Sequence, residues 1–536
     1  MNENNENFVN AMPYQQQQSF LPPYGNTIPQ YQTKPKPTFT GREKVLSIVI
    51  AVLSFLFVHF VLWNSKGFFT TAFYLAALTV SLTYLQKIEY EFLTSHKLWS
   101  VLMYSFSLVF SITANDFVKQ LDSVFLHLGI AYLIYSVTSK TPMFGRFAVF
   151  EMLKSSISNP LSHFGKEYSA VNSAVKSTKR GTDIKAIICG LVLALPLTVI
   201  VAALLISADE GVEKMLNSLA ATIMMENVFT FIPQFAVSIP VSGYLFGLIY
   251  SHTHPEITKP LDEERCKQST SKLKIAANMA VYSAVTPICV LYVMFFISQT
   301  NYFLSAFMGR LPENFSYSEY ARKGFFELFA IEVINALVIL FMNFCSKRSG
   351  DEKPAALKIY SVVISIFTLL ITATAVSKMF LYIQNFGLTQ LRVYTTWFML
   401  LTAIMFIFVI IRQFRSGFPF MRSAAVVFTI FFGILCFSRP DAMIARYNME
   451  NCTEHLSYYD ISKMSELSAD SAAVILEPKY RQIINDKFKN SHDWSDSEMM
   501  FDQGYVELVR KARYDLSKND YNEYNFSAIK LKKFID

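Results

Sequence analysis

The chain has 536 residues, 52 % hydrophobic, 15 % aromatic and only 17 % charged, with a formal charge of +7. That balance lies outside the range of soluble globular domains, and the apolar residues gather in blocks long enough for a helix to cross about 30 Å of hydrocarbon. The expected fold class is therefore all-α, a polytopic bundle of about eleven transmembrane helices; a β-barrel would need short alternating segments, and the positive charge reads as the loop bias that orients membrane helices rather than as a nucleic-acid surface.

Residues 1–42, rich in Gln, Pro and Asn, read as a disordered cytoplasmic tail. The first apolar block, VLSIVIAVLSFLFVHFVLW at 45–63, follows too long a polar stretch to be a cleaved signal and is a retained helix. With blocks at 68–86, 98–113 and 119–137 it makes a first membrane unit over 43–137. His127, alone in the fourth block, reads as a hydrogen-bonded core residue. The loop 138–183 carries Lys140, Arg146, Lys154, Lys166, Lys176, Lys179 and Arg180 against Glu151, Glu167 and Asp183, which places it in the cytoplasm. Its stretch GRFAVFEMLKSSI is amphipathic and suits the membrane surface or a seat on the bundle.

The main membrane domain, 184–438, holds blocks at 184–207, 231–250, 275–298, 325–346, 357–381, 396–411 and 421–438. Asp209, Glu210 and Glu213 form an acidic patch on the opposite side from the basic loop, and 212–230 suits an interfacial or re-entrant piece. Pro233 and Pro240 are expected to bend or break the helix that contains them. His252, His254 and Glu256 are too closely and loosely placed to assign a metal site. Cys189, Cys289, Cys345 and Cys436 lie in or beside apolar blocks and read as packing residues. No phosphate-binding loop, nucleophile elbow or zinc-protease motif occurs, so no cofactor and no catalytic residue is assigned.

The segment PENFSYSEYARKGFFELFAIEVINALVILF at 312–341 runs from a polar stretch straight into an apolar one. Glu319, Lys323 and Glu327 succeed one another at four-residue spacing, along one helical face, with Arg322 beside them. Counted from Phe325, Glu332 lies about 10 Å and Asn335 about 15 Å into the crossing. Glu327, Glu332 and Asn335 share an arc of about 140°. Carboxylate at that depth must face protein or water. Lys378 is the candidate counter-charge, Arg392 opens the next descent, and Arg439, Asp441, Arg446 and Tyr447 come after the last block. The candidate substrate-binding residues are thus Glu319, Arg322, Glu327, Glu332, Asn335, Lys378, Arg392, Arg439 and Arg446, all expected at the non-cytoplasmic side. Residues 439–536 read as a small extracytoplasmic region of short helices, with Asp470 and Ser471 as candidate caps.

FSYSEYARKGFFEL at 315–328, LPLTVIVAALLISAD at 195–209, and IARYN at 444–448 with LSADSAAV at 467–474 resemble a bacterial membrane family, the domain of unknown function 4173, related to the 4153 group. Ser318 stands where that family usually has alanine, and LSADSAAV lacks its proline. The resemblance implies a multi-pass protein of the bacterial cell membrane and no catalytic assignment.

Three functional readings stay open at this point. An outward-facing polar cavity suits a transporter or ligand sensor; the tail after Arg439 suits a scaffold or regulator that binds an envelope protein; and the outer charges suit a lipid-linked envelope enzyme. The expected partners are membrane lipids and a membrane or envelope protein, with no nucleic acid, the N-terminus in the cytoplasm and the C-terminus outside.

Overall fold

In the computed structural model the described residues are 38–63, 66–176, 201, 225–254, 263–272, 274, 278–298, 325–346, 354–452, 461, 463–464, 466–480, 482, 509–510, 512–513, 516 and 524–535. Nine helices among them are long and apolar enough to cross a membrane. Helix α1 is Gly41–Phe57, extended by a π-helical turn Val58–Trp63, and α2 is Phe68–Lys87. Thr40 caps α1 in a capping box with Glu43. Helices α3 (Thr94–Phe106) and α4 (Val109–Ile112) occupy the expected third crossing, which breaks at Ser107 and Leu108. Ser100, Ser105 and Ser107 each donate back to the carbonyl four residues earlier, a bond that bends helices. Helix α5, Asp116–Thr138, starts at an Asn115 cap.

The basic loop folds into α6 (Ala148–Leu153), a π-helical turn Lys154–Ser158, α7 (Asn159–Ser162) and α8 (Lys166–Lys176). These seat on the bundle: Tyr132 donates to Glu151 at 2.9 Å and Tyr244 to the Ser156 carbonyl at 2.5 Å. Helix α9, Met225–Thr253, runs through both Pro233 and Pro240 without ending. The expected break is absent because neighbouring helices can resatisfy a backbone group freed inside a membrane bundle. Its Gly243 and Gly247 face the carbonyls of Phe164 and Pro160 so closely that a Cβ would sit 2.9 and 2.6 Å away. Then come α10 (Glu263–Lys272), α11 (Asn278–Ser298), α12 (Phe325–Cys345), α13 (Ala355–Phe386), α14 (Gln390–Phe414) and α15 (Phe420–Phe437). The C-terminal part gives α16 (Pro440–Asn451), α17 (Ala469–Ile475) and α18 (Phe526–Ile535).

Short turns and cross-contacts sort the helix ends. At one end Arg42 reaches the Lys87 carbonyl at 2.5 Å, His254 meets Glu43 at 3.1 Å and Ser346 donates to Asn278 at 2.6 Å. At the other, residues 66–68, 113–116, 387–390 and 438–441 gather beneath α16, α17 and α18, which form a cap. The cap has its own core of Ala445, Met449, Ile461, Met464, Val474 and Tyr480. The expected crossing at 184–207 lies outside the described residues apart from residue 201, as do the acidic patch and most of 212–230.

Candidate functional site

Asp470 is the hub of the capped end. It is fully buried, and its carboxylate accepts from Thr113 Oγ1 at 2.5 Å, Ala114 N at 2.8 Å, Arg439 Nε at 3.2 Å and Arg439 Nη2 at 3.0 Å, and from the Ser527 hydroxyl. One side chain so joins the α4–α5 corner, the start of α16, α17 and α18. The cap of α17 is Ser468, whose hydroxyl accepts from Asp470 N at 3.3 Å. This corrects the expectation that Asp470 and Ser471 cap it: Asp470 is the second residue of the helix and turns its carboxylate to Arg439 instead. Ser471 donates to the Met464 carbonyl at 2.6 Å. Arg439 itself stands at φ 53°, ψ 72°, a left-handed conformation that costs a non-glycine residue about 1–2 kcal/mol. The charge-assisted double grip on Asp470 offsets that cost.

Beside the hub, Asp441 is also fully buried. Its Oδ1 accepts from Gln390 Nε2 at 2.7 Å, while Oδ2 has no well-aligned donor. Burial holds its carboxyl above the ordinary carboxylate range, with Ser468, Gln390 and Asn115 opposing that shift. Asn115 Nδ2 donates to Tyr394 at 2.8 Å, tying α5 to α14. Asn448 fastens the α13–α14 turn: Oδ1 accepts from Leu388 N at 2.6 Å and Nδ2 donates to the Leu388 carbonyl at 2.9 Å. Gly387, at φ +71°, lets the turn come this close, since a Cβ there would meet Asn448 Oδ1 at 2.5 Å. A cavity of about 220 Å³ opens between that turn and Asn448, Cys452, Lys463 and Met464.

A second cavity, about 360 Å³, lies along α16 and is lined by Arg439, Met443, Arg446, Tyr447, Glu450 and Asn451. Arg446 is exposed. Glu450 closes one edge, held by Lys479 at 2.8 Å and the Tyr480 hydroxyl at 2.8 Å. The hydrogen bond from Lys479, then that from Tyr480, keeps the Glu450 carboxyl below its ordinary range. The exposed Arg446 guanidinium suits a carboxylate or phosphate group, while Arg439 turns Nε and Nη2 to Asp470 and Ser527.

The candidate residues do not converge on one cavity. Glu332 and Asn335 are buried at 1 % and 0 % exposure, in a seam between helices. Thr402 donates to Glu332, Thr372 stands beside the same carboxylate, Tyr292 donates to Asn335 Oδ1 at 2.5 Å, and Asn335 Nδ2 donates to Thr368 at 2.8 Å. Glu327, in the first turn of α12, is exposed instead of sharing that interior face. Lys378 is buried, but the ion pairs among the described residues do not join it to Glu332 or Glu327. It lies six residues beyond Thr372 on α13, on a different turn. Arg392 caps the end of α13: it donates to the Phe386 carbonyl at 2.9 Å and to that of Gly387, and stacks 4.0 Å over Tyr382. Among the described candidate residues, Arg439 and Arg446 share a cavity. Glu319 and Arg322, with Lys323, lie outside the described residues.

His127 bonds Tyr244 at 2.7 Å, as a core histidine does. His252 meets Asn159 at 3.2 Å and His254 meets Glu43 at 3.1 Å, so these rings serve packing between helices; Glu256 lies outside the described residues. Sequence reasoning passed over Lys66, Lys119 and Asp122. All three are buried near the start of α5, and burial pulls the Lys66 ammonium below its ordinary range. For Lys119 and Asp122 the available signal was charge within an apolar block, which marks either pairing or function.

A family model described as a domain of unknown function (DUF4153) matches residues 99–477. No curated protein and no solved structure matches the chain.

Proposed function

The chain belongs to the DUF4153 family, and from that premise we propose that it is an integral membrane ligand sensor that receives an anionic group at the capped end of its bundle. The supporting observation is the α16 cavity of about 360 Å³, where exposed Arg446 stands beside Arg439, itself bound to the Asp470 hub. A carboxylate or phosphate held there would act on the residue that joins the cap to the α4–α5 corner. Sensing fits better than carriage because the deep acid Glu332 is enclosed by Thr402, Thr372 and neighbouring helices.

We place the capped end outside the cytoplasm and the N-terminus inside. The opposite end carries Lys140, Arg146, Lys154, Lys166, Lys176, Arg412 and Arg415, the bias expected of cytoplasmic loops. The likeness to the 4173 branch supports a bacterial cell membrane. The tight Asp470 clamp, complete without a ligand, favours as second reading a scaffold whose cap docks an envelope protein. Stoichiometric cross-linking of such a partner to the cap, with no ligand response, would select it.

The test uses the full chain in lipid nanodiscs, titrated with inorganic phosphate, glycerol phosphate and a dicarboxylate. A ligand at a hundred times its Kd stabilises the folded state by about 2.7 kcal/mol, visible as a raised melting temperature. The reading expects that response from at least one probe and its loss in Arg446→Gln. An equal response in the variant, or none from any probe, contradicts it.

A further inference from the structure

Helix α5 carries a carboxyl group inside the apolar layer that the capped site does not use. Asp122 is fully buried within the candidate span Asp116–Thr138, and neither of its oxygens has a hydrogen-bond partner among the described residues. At 1.5 Å per residue it lies about 9 Å along the helix from its first residue.

Among the described residues the titratable groups facing it are few. Helix α2 presents Tyr74, whose hydroxyl donates to the Ser123 carbonyl at 3.4 Å, and α15 presents the buried Cys436 thiol. Helix α4 has no titratable side chain, and on α3 His96 is engaged with Ser136 and Thr141 at the far end of α5. From α9, Tyr244 is bound to His127. On α5 itself the Lys119 ammonium lies 3.7 Å from exposed Asp116. The ion pairs among the described residues do not include Asp122.

An ionised carboxylate without donors or counter-charge is far more costly to bury than a neutral acid, which forfeits about 1–3 kcal/mol for its unmade hydrogen bonds. We infer that Asp122 is carried as a neutral carboxylic acid and is a proton-binding site within the membrane-spanning bundle. The step is the addition of one proton to the carboxylate, with no other reactant. Release requires water to reach the carboxyl, so α5 must part from α15 or α2. This inference does not rest on the anionic-ligand reading.

The test treats the full chain in lipid nanodiscs with dicyclohexylcarbodiimide, which adds to a protonated carboxyl in apolar surroundings, at about pH 8, where exposed carboxylates are ionised. Mass spectrometry is expected to find the adduct on Asp122 and not on Asp116. Infrared spectra are expected to lose a carboxylic-acid C=O band in Asp122→Asn, with Asp122→Leu serving for the same subtraction should the first variant not fold. An unlabelled Asp122, together with loss of ionised-carboxylate bands in place of an acid band, overturns the inference.

Discussion

At Asp470 a single carboxylate accepts from three chain segments distant in sequence, so its loss should be felt far from its own helix. Removing the carboxylate strands Arg439, whose side chain keeps 30 % exposure, so the cost stays below the ~3–5 kcal/mol of a fully buried pair. Asp470→Asn is therefore expected to free the cap while the membrane helices remain folded, measured as faster hydrogen exchange over 440–451 and 526–535 with α5 and α13 protected. Asp441, beside it, has the opposite character. Its folded-state carboxyl is raised by burial, so the native state holds the proton more tightly than the unfolded chain does. Stability from this group is complete below the ordinary carboxylate range and falls as pH rises through the raised folded value. Asp441→Asn should remove that decline and leave the cap at least as stable at neutral pH, checked by thermal unfolding against pH. A variant as pH-dependent as the parent would reject the assignment. Both aspartates sit in stretches whose polarity stands out in the sequence, yet their roles were hidden, because a contact between Thr113 and Asp470 spans 357 positions and no local spacing announces it.

Helix α8 illustrates how an element outside the membrane is fastened to the helices within it. Its Glu167 is buried against α9, where Ser242 donates to it, and burial pushes the carboxyl up to about 7. The sign is set by the raised value: docking of α8 is strongest below the ordinary glutamate range and weakens as pH rises toward about 7. Glu167→Gln is expected to make the exchange protection factors of 166–176, taken against intrinsic rates at each pH, insensitive to pH across that interval; an unchanged pH dependence of protection would contradict the account. Gly247→Ala tests the neighbouring contact. Its Cβ would meet a backbone carbonyl at 2.6 Å, so α7 must shift, at about 1–3 kcal/mol for overpacking, read from the melting temperature. The amphipathic character of this loop was legible from its sequence, and its seat on the bundle reflects apolar faces seeking cover. The continuity of α9 through two prolines fits the single block read at 231–250, and the break that was expected as the alternative to a bend is absent because neighbours supply what proline rules for isolated helices omit.

Across the whole molecule, crossings were the most legible feature, because length and apolarity are set by the bilayer. Depth along α12 foretold that Glu332 faces protein or water, and it is protein that encloses both Glu332 and Asn335. What one-dimensional counting could not provide was which helix lies opposite, and so Lys378 was matched to Glu332 although threonine and asparagine neighbours fill that seam. The same blindness hid Asp122, which stands in a block where His127 alone was weighed. The central claim is that the helical cap over Asp470 and Arg439 faces away from the cytoplasm, where an external ligand can reach Arg446. The most direct measurement is labelling of Lys479→Cys and Arg415→Cys by a membrane-impermeant maleimide in intact cells, against the unaltered chain. The account predicts that position 479 is labelled at once and position 415 only after permeabilisation; the reverse pattern would contradict it.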